Sequence, residues 1–369
     1  MTNSKFSQNN IDLSFKVLNK IDIRELTLDE LKAIFVKKGQ PAFRGQQVYE
    51  WLWKKSAISF DEMSNLSVEL RALLNEEFCI NHIKIQDKQV SDDKTIKSSF
   101  RLHDGFLVEG VLIPADDRMT ACVSSQVGCS LTCKFCATGT MKRERNLTPA
   151  EIYDQVVHIK NWAKNHYGKP LTNIVFMGMG EPLLNYSNVM AAIKKITLPE
   201  GLNMSNERIT VSTAGIAKMI EKLGDDNVKF RLALSLHAAS DEKRNLIMPI
   251  NESNSLEAVG KALQHFYAKT KSRITFEYIA FKDFNESIED AKLLLKFCKK
   301  VPAKVNIIEY NPTGDGQFEK ADSKKIDAFC AYLEKNGVIA TVRRSRGKDI
   351  DAACGQLANK KHVEALMEG

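Results

Sequence analysis

The chain lacks any run of about 18 apolar residues that could cross a bilayer, and its opening stretch, MTNSKFSQNN, is polar and has no apolar leader core. These two absences argue against a helical membrane protein and predict a cytoplasmic one. No period of about 20–50 residues recurs, so a solenoid is not indicated. Neither sign of charge dominates: 53 Lys and Arg against 46 Asp and Glu leave a net charge of +7. The resulting pI near 8.8 gives a modest positive field that suits a polyanionic partner without demanding one. With 9 prolines, 19 glycines, 43% hydrophobic and 27% charged residues, the 369-residue chain is neither collagen-like nor disordered. Its length fits two or three domains, or one α/β barrel with an appendage.

Cysteine is the exception to this scarcity. Eight cysteines in a cytoplasmic chain do not read as a disulfide framework, because thiols stay reduced there. Cys129, Cys133 and Cys136 fall together in CSLTCKFC, Cys122 lies just upstream, and Cys79, Cys298, Cys330 and Cys354 are scattered, with Cys79, Cys298 and Cys330 read as core.

Residues 1–97 read as a helical accessory domain. TLDELKAIFVKKG at 27–39 opens on a Thr N-cap and ends at Gly39. In the next helix, Phe43, Tyr49, Trp51 and Trp53 interleave with Arg44, Lys54 and Lys55. That pattern suits either base stacking with phosphate contacts or a packed helix with a basic edge. Residues 98–114 read as a hairpin turning at His103-Asp104-Gly105. From 118 onward, β-branched strands near 118–125, 171–177, 207–213, 229–237, 273–281 and 304–310 alternate with helices near 149–164, 187–197, 215–223, 255–269, 286–300 and 322–336. A last strand at 338–345 and a polar tail from 346 follow. The rhythm predicts an α/β chain whose 98–345 segment is a partial (β/α)6 TIM-like barrel, with a doubly wound open sheet as the alternative.

The Cys-x3-Cys-x2-Cys spacing lets three thiols from one short loop wrap a single iron–sulfur cluster, leaving one iron without a protein ligand. A zinc site would want a fourth ligand, for which Cys122 on a strand is poorly placed. Polar groups recur where the following strands end, at Glu181 in MGMGEP, Ser212 in STAG, Ser235 and His237 in SLHA, and Asn311 in EYNP. That rim is where βα barrels assemble active sites. Glycines 178 and 180 are expected to let backbone approach a ligand.

Together the stretches MTACVSSQVGCSLTCKFCATG, TNIVFMGMGEPLLN, SLHA and RGKDIDAACGQLA resemble the radical S-adenosylmethionine (SAM) superfamily and, within it, the enzymes that methylate C2 of adenine in RNA. The resemblance covers nearly the whole chain and is weakest before residue 40. It implies a [4Fe-4S] cluster on Cys129, Cys133 and Cys136, two SAM molecules per turnover, and cofactor contacts from Gly180, Glu181, Ser212, Ser235, Leu236, His237 and Asn311. It implies that Cys354 accepts a methyl group, that Cys122 is its partner thiol, and that Glu109 accepts a proton. A 5′-deoxyadenosyl radical would activate the methyl on Cys354, because C2 of adenine is too electron-poor to attack a sulfonium methyl itself. Release would leave a Cys122–Cys354 disulfide.

The implied partners are 23S rRNA at the peptidyl transferase centre, the adenosine 3′ of some tRNA anticodons, a flavodoxin-like electron donor and a thiol reductant. The chain is expected to be a monomer. It departs from the family pattern at STAG, where Ser-Thr-Ser-Gly is usual. Two other readings stand beside this one: a sister family that methylates C8 of the same rRNA adenosine, and a zinc-dependent RNA-binding module without catalysis. The basic runs KRER at 142–145 and RRSRGK at 343–348 are expected near the RNA entrance.

Overall fold

The computed structural model describes residues 20–313 and 317–359; the polar N-terminal stretch and the end of the C-terminal tail lie outside the described residues. The chain divides into two compact units, one holding the residues up to Ile83 together with Lys194–Asn203, the other holding the rest.

In the first unit, α1 (Leu28–Lys37) starts on a capping box in which Thr27 and Glu30 satisfy each other's backbone N–H groups. Helices α2 (Phe43–Trp53) and α3 (Val68–Glu77) follow. Tyr49 and Trp53 are buried while Phe43 stays exposed, so half of the aromatic row is core. Gly45 lets α1 and α2 touch, since a Cβ there would stand 2.7 Å from the Lys32 backbone nitrogen.

The second unit is built on one ten-stranded sheet. Its strands are β1 (Lys84–Val90), β2 (Ile96–Arg101), β3 (Leu107–Pro114), β4 (Met119–Cys122), β5 (Asn173–Phe176), β6 (Ile209–Thr213), β7 (Arg231–Ser235), β8 (Ile274–Ala280), β9 (Ala303–Glu309) and β10 (Ile339–Arg343). Residues 84–97 are therefore not helical: 84–90 form β1, 91–95 a turn, and 96–97 open β2. β1 pairs antiparallel with β2 at the edge of the sheet, where none of its residues is fully buried.

Strand order follows chain order from one edge to the other, and β4 to β10 are all parallel. A doubly wound sheet would reverse its order at a switch point; this one never does, which is the open partial barrel. The crossover helices are α4 (Pro149–Tyr167), α5 (Tyr186–Thr197), α6 (Ala217–Asp225), α7 (Asp241–Ile247), α8 (Leu256–Thr270), α9 (Ile288–Cys298) and α10 (Ser323–Lys335). α7 has no counterpart in the sequence reading: at two turns it is too short for periodicity to register. α4 shows how locally these elements are written, with Thr148 and Glu151 closing a capping box, Pro149 at the first turn and Gly168 at φ 62 ending it. All of β8 is buried, as a central parallel strand covered on both faces must be.

Candidate active site

The loop leaving β4 is held in shape by glycines that nothing larger could replace. Gly128 has φ 72 and a Cβ there would lie 2.0 Å from the Lys142 carbonyl oxygen; at Gly139 it would lie 2.7 Å from that of Cys133. Between them Thr132 turns left-handed at φ 49, and the Cys136 N–H donates to the Cys133 carbonyl at 3.2 Å. These turns put all three thiols on one cavity of about 150 Å³. Burial raises each thiol, Cys129 to about 11 and Cys133 well above its usual value, and the neighbouring thiolates add to the rise in both.

Opposite the thiols stand Gly180, Glu181, Ser212, Ser235 and His237, so the rim residues expected from the sequence do meet in one place. Glu181 is buried, and its carboxylate accepts from the Ala214 N–H at 2.8 Å and the Leu183 N–H at 3.0 Å. Burial outweighs these bonds and lifts its carboxyl to about 6. The hydroxyls of Ser212 and Ser235 are 3.3 Å apart. His237, at φ 55, accepts the Ile279 N–H on Nδ1 at 3.1 Å, so its proton sits on Nε2. Burial, aided by the Arg244 charge, pushes it down to about 3. His237 is thus a fixed neutral donor. The glycines of MGMG line the cavity and also have a second role. A Cβ on Gly180 would lie 2.5 Å from the Gln126 side chain, and one on Gly178 would lie 2.7 Å from the Val123 backbone, so both permit close packing of protein on protein.

Cys354 lines the same cavity. Its loop is tied to the cysteine loop by Ala137 N–H to Gly355 carbonyl (2.7 Å) and Thr138 Oγ1 to Leu357 carbonyl (2.5 Å). Cys122, the last residue of β4, is buried behind the cavity wall; burial pushes its thiol up to about 12, with Cys354 adding to the rise and Arg343 opposing it. The two thiols therefore lie within each other's field, yet both are free, so a standing Cys122–Cys354 disulfide is not part of the fold. Glu109, Leu236 and Asn311 do not line the cavity. Glu109 accepts the Ala358 N–H at 2.8 Å and faces Lys97 at 3.6 Å. Leu236 is core, offering only backbone. Asn311 donates to Ser345 Oγ at 2.9 Å and to the Cys354 carbonyl at 3.4 Å, bracing the Cys354 loop from behind.

Two family models match the chain: the radical SAM superfamily over residues 123–295 and the ribosomal RNA large subunit methyltransferase N-terminal domain over residues 21–80. The chain is 62% identical to the probable dual-specificity RNA methyltransferase RlmN of Cytophaga hutchinsonii, across 93% of this chain and 94% of that one. It is 42% identical to the dual-specificity RNA methyltransferase RlmN of Geotalea uraniireducens, across 93% and 98%. The chain belongs to the RlmN family. Its fold matches the crystal structure of a radical SAM methyltransferase from Sphaerobacter thermophilus at a TM-score of 0.86 and 38% identity, covering 91% of this chain and 99% of that one.

A [4Fe-4S] cluster and SAM are the cofactors of this superfamily, and the residues fit them. Among the described residues no group of three or more His, Cys, Asp or Glu is gathered closely enough for a single metal ion. Three thiols lining one cavity suit a multi-iron group, one iron to each. Such a core would also offset the repulsion and desolvation that keep these thiols protonated.

The sequence reading missed three charged residues here and gave a fourth another role. Glu277 sits within β8 and lines the cavity; its Oε1 accepts from Asn306 at 2.9 Å, while Oε2 makes no hydrogen bond and faces Arg343 at 3.9 Å. A carboxylate inside an otherwise apolar strand was the available signal. Lys97 and Arg244 gave none, whereas Arg343 opens the RRSRGK run expected near the RNA entrance and is turned to Glu277 instead. Of the basic runs, Arg145 is spent on Glu151 (2.8 Å) and Asp104, and Lys348 on Glu309 (2.9 Å), leaving Arg143, Arg344 and Arg346 exposed.

Proposed function

We propose that this chain methylates C2 of an adenine in RNA, at the peptidyl transferase centre of 23S rRNA and at the adenosine 3′ of the anticodon in some tRNAs, using Cys354 as the methyl carrier. The observation that carries the reading is Cys354 on the wall of the cavity that also holds the three cluster thiols. The RlmN name of the relatives supports C2 over the C8 chemistry of Cfr-type enzymes.

Cys129, Cys133 and Cys136 would hold the cluster. Glu181 and the Ser212–Ser235 pair would accept hydrogen bonds from the amino and ribose groups of SAM, His237 Nε2–H and the Gly180 backbone would donate or pack close, and Leu236 and Asn311 would act through backbone and loop support. When bound, cluster and SAM supply an electrophilic methyl group from one molecule and a hydrogen-abstracting radical from reductive cleavage of another. Cys354 takes the methyl as a thioether and, once a hydrogen is removed from that methyl, joins it to C2. Glu109 takes the C2 proton, for which the tail must first release its hold through Ala358. Once the adduct has given its odd electron back to the reducing system, Cys122 as a thiolate attacks the Cys354 sulfur. The sulfur–carbon bond breaks toward the base, whose CH2 carbon takes up a proton to become the methyl group, and a transient disulfide is left for a thiol reductant. The target base must leave its stack to reach this cavity. Arg44 over the exposed Phe43 ring, 5.0 Å from its centroid, is a candidate RNA contact on the first unit. The chain acts as a cytoplasmic monomer fed by a flavodoxin-like donor.

The test is nucleoside mass spectrometry of an rRNA fragment and a tRNA after incubation with anaerobically reconstituted enzyme, reductant and SAM. 2-Methyladenosine is expected; 8-methyladenosine would move the chain to the Cfr-type reaction. Cys122→Ala should accumulate a protein–RNA crosslink and Cys354→Ala should form none. Free methylated RNA from both variants would refute the two-thiol scheme.

A further inference from the structure

Arg244, on α7, is a fully buried guanidinium. Its Nε donates to the Leu236 carbonyl at 3.1 Å, and its Nη2 to the carbonyls of Ala214 at 2.5 Å and Ser235 at 3.3 Å. Nη1 donates to Asn251 Oδ1 at 2.5 Å. Every partner is a neutral oxygen. The nearest acid on its own helix, Asp241, is joined to it through Asn251, whose Nδ2 donates to Asp241 Oδ1 at 2.8 Å. A buried charge without a counter-charge is costly, and hydrogen bonds to neutral groups offset only part of that cost. Asp241 answers the Arg244 charge only at one remove, through Asn251.

The helix that carries Arg244 also seats the cysteine loop. The Lys134 N–H, next to Cys133, donates to the Ile247 carbonyl at 3.0 Å, and Leu131 and Phe135 share a packed cluster with Ile247 and Met248. Ala214 and Ser235, whose carbonyls accept from Arg244, line the same cavity as Cys133. Three cysteine thiolates on an iron–sulfur core leave that group with net negative charge, and reduction adds an electron to it.

We propose that Arg244 is a positioning residue of the cofactor site: its buried charge is the counter-cation of the thiolate-bound cluster and raises its reduction potential, while its hydrogen bonds clamp the loops after β6 and β7 that meet SAM. The inference rests on the cluster belonging to this family and is independent of which RNA base is methylated. Potential depends on net charge and on local hydrogen bonding, so a fixed cation favours the reduced, more negative state. The clamp holds Ala214, whose N–H meets Glu181, and the Ser235–His237 segment, so one side chain sets both halves of the SAM cradle.

The test compares anaerobically reconstituted wild type with R244K and R244M. Iron and sulfide content is measured first; a wild type without them would fail the cluster reading itself, apart from this inference. Midpoint potentials then come from dye-mediated titration followed by electron paramagnetic resonance, and SAM affinity from equilibrium binding. R244M is expected to hold its cluster at a more negative potential and to bind SAM at least about fivefold more weakly. R244K keeps the charge and loses the fork, so its potential should stay near wild type while SAM binding weakens. If R244M does not fold, R244Q, neutral but still able to donate to a carbonyl, replaces it. A neutral variant with wild-type potential overturns the counter-cation role, and unchanged SAM affinity in R244M or R244Q and R244K overturns the clamp.

Discussion

Replacing Glu181 by Gln isolates one buried titration. In the folded apoprotein its carboxyl is raised from 4.5 to about 6, because burial outweighs the hydrogen bonds from Ala214 and Leu183. Each pKa unit is worth about 1.4 kcal/mol, so ionised Glu181 costs the fold about 2 kcal/mol at pH 7. The sign follows from which state holds the proton. Between 4.5 and 6 the folded chain keeps it and the unfolded chain has lost it, so this group's contribution is fully present below 4.5 and lost as pH rises through 6. Gln has no such dependence, and it gives up one N–H acceptor at a cost of about 1 kcal/mol. Urea unfolding of apo wild type and Glu181→Gln, run in parallel from pH 4.5 to 7.5, should show the variant weaker at the acid end and gaining about 2 kcal/mol on wild type by pH 7. The comparison cancels every other titration in the chain. A stability difference that stays flat across the range would refute the argument. The holoenzyme should behave oppositely toward its ligand, the variant binding SAM more weakly at pH 7 because the carboxylate is lost.

Gly128→Ala should cost at least about 2–3 kcal/mol and cluster retention with it, since φ 72 and the 2.0 Å approach to Lys142 leave no room; iron content per chain is the check. The imidazole resonances of His237 should not move between pH 5 and 8, because its pKa lies at about 3; a titration near 6.5 would contradict the neutral-donor assignment. Lys97→Met removes the contacts to Glu109 and to the Asp351 carbonyl, 3.3 Å away, and should speed protease cleavage of the 347–359 loop several-fold in the apoprotein. Phe43→Ala with Arg44→Ala should weaken RNA binding without changing cluster content; unchanged affinity on a filter-binding assay would remove that surface from the interface.

The cysteine triplet, the βα alternation and the polar strand ends are local patterns, and the sequence alone determined them: spacing puts three thiols on one loop, and strand ends of a parallel barrel share one rim. Glu181, Ser212, Ser235 and His237 were legible for that reason. Tertiary structure decided what depends on residues distant in the chain. Residues 84–90 became strand because the β2–β3 hairpin offered an edge to pair with, which local helical pattern could not reveal. Gly178 and Gly180 also answered to the β4 loop packed on them, while Cys354 came to the cluster cavity through hydrogen bonds from the Ala137 N–H and the Thr138 hydroxyl, more than 200 residues earlier. Glu277 and Arg244 had no motif, since a lone charge in a strand or short helix acquires meaning only when folding strips away its water and fixes which groups it must face.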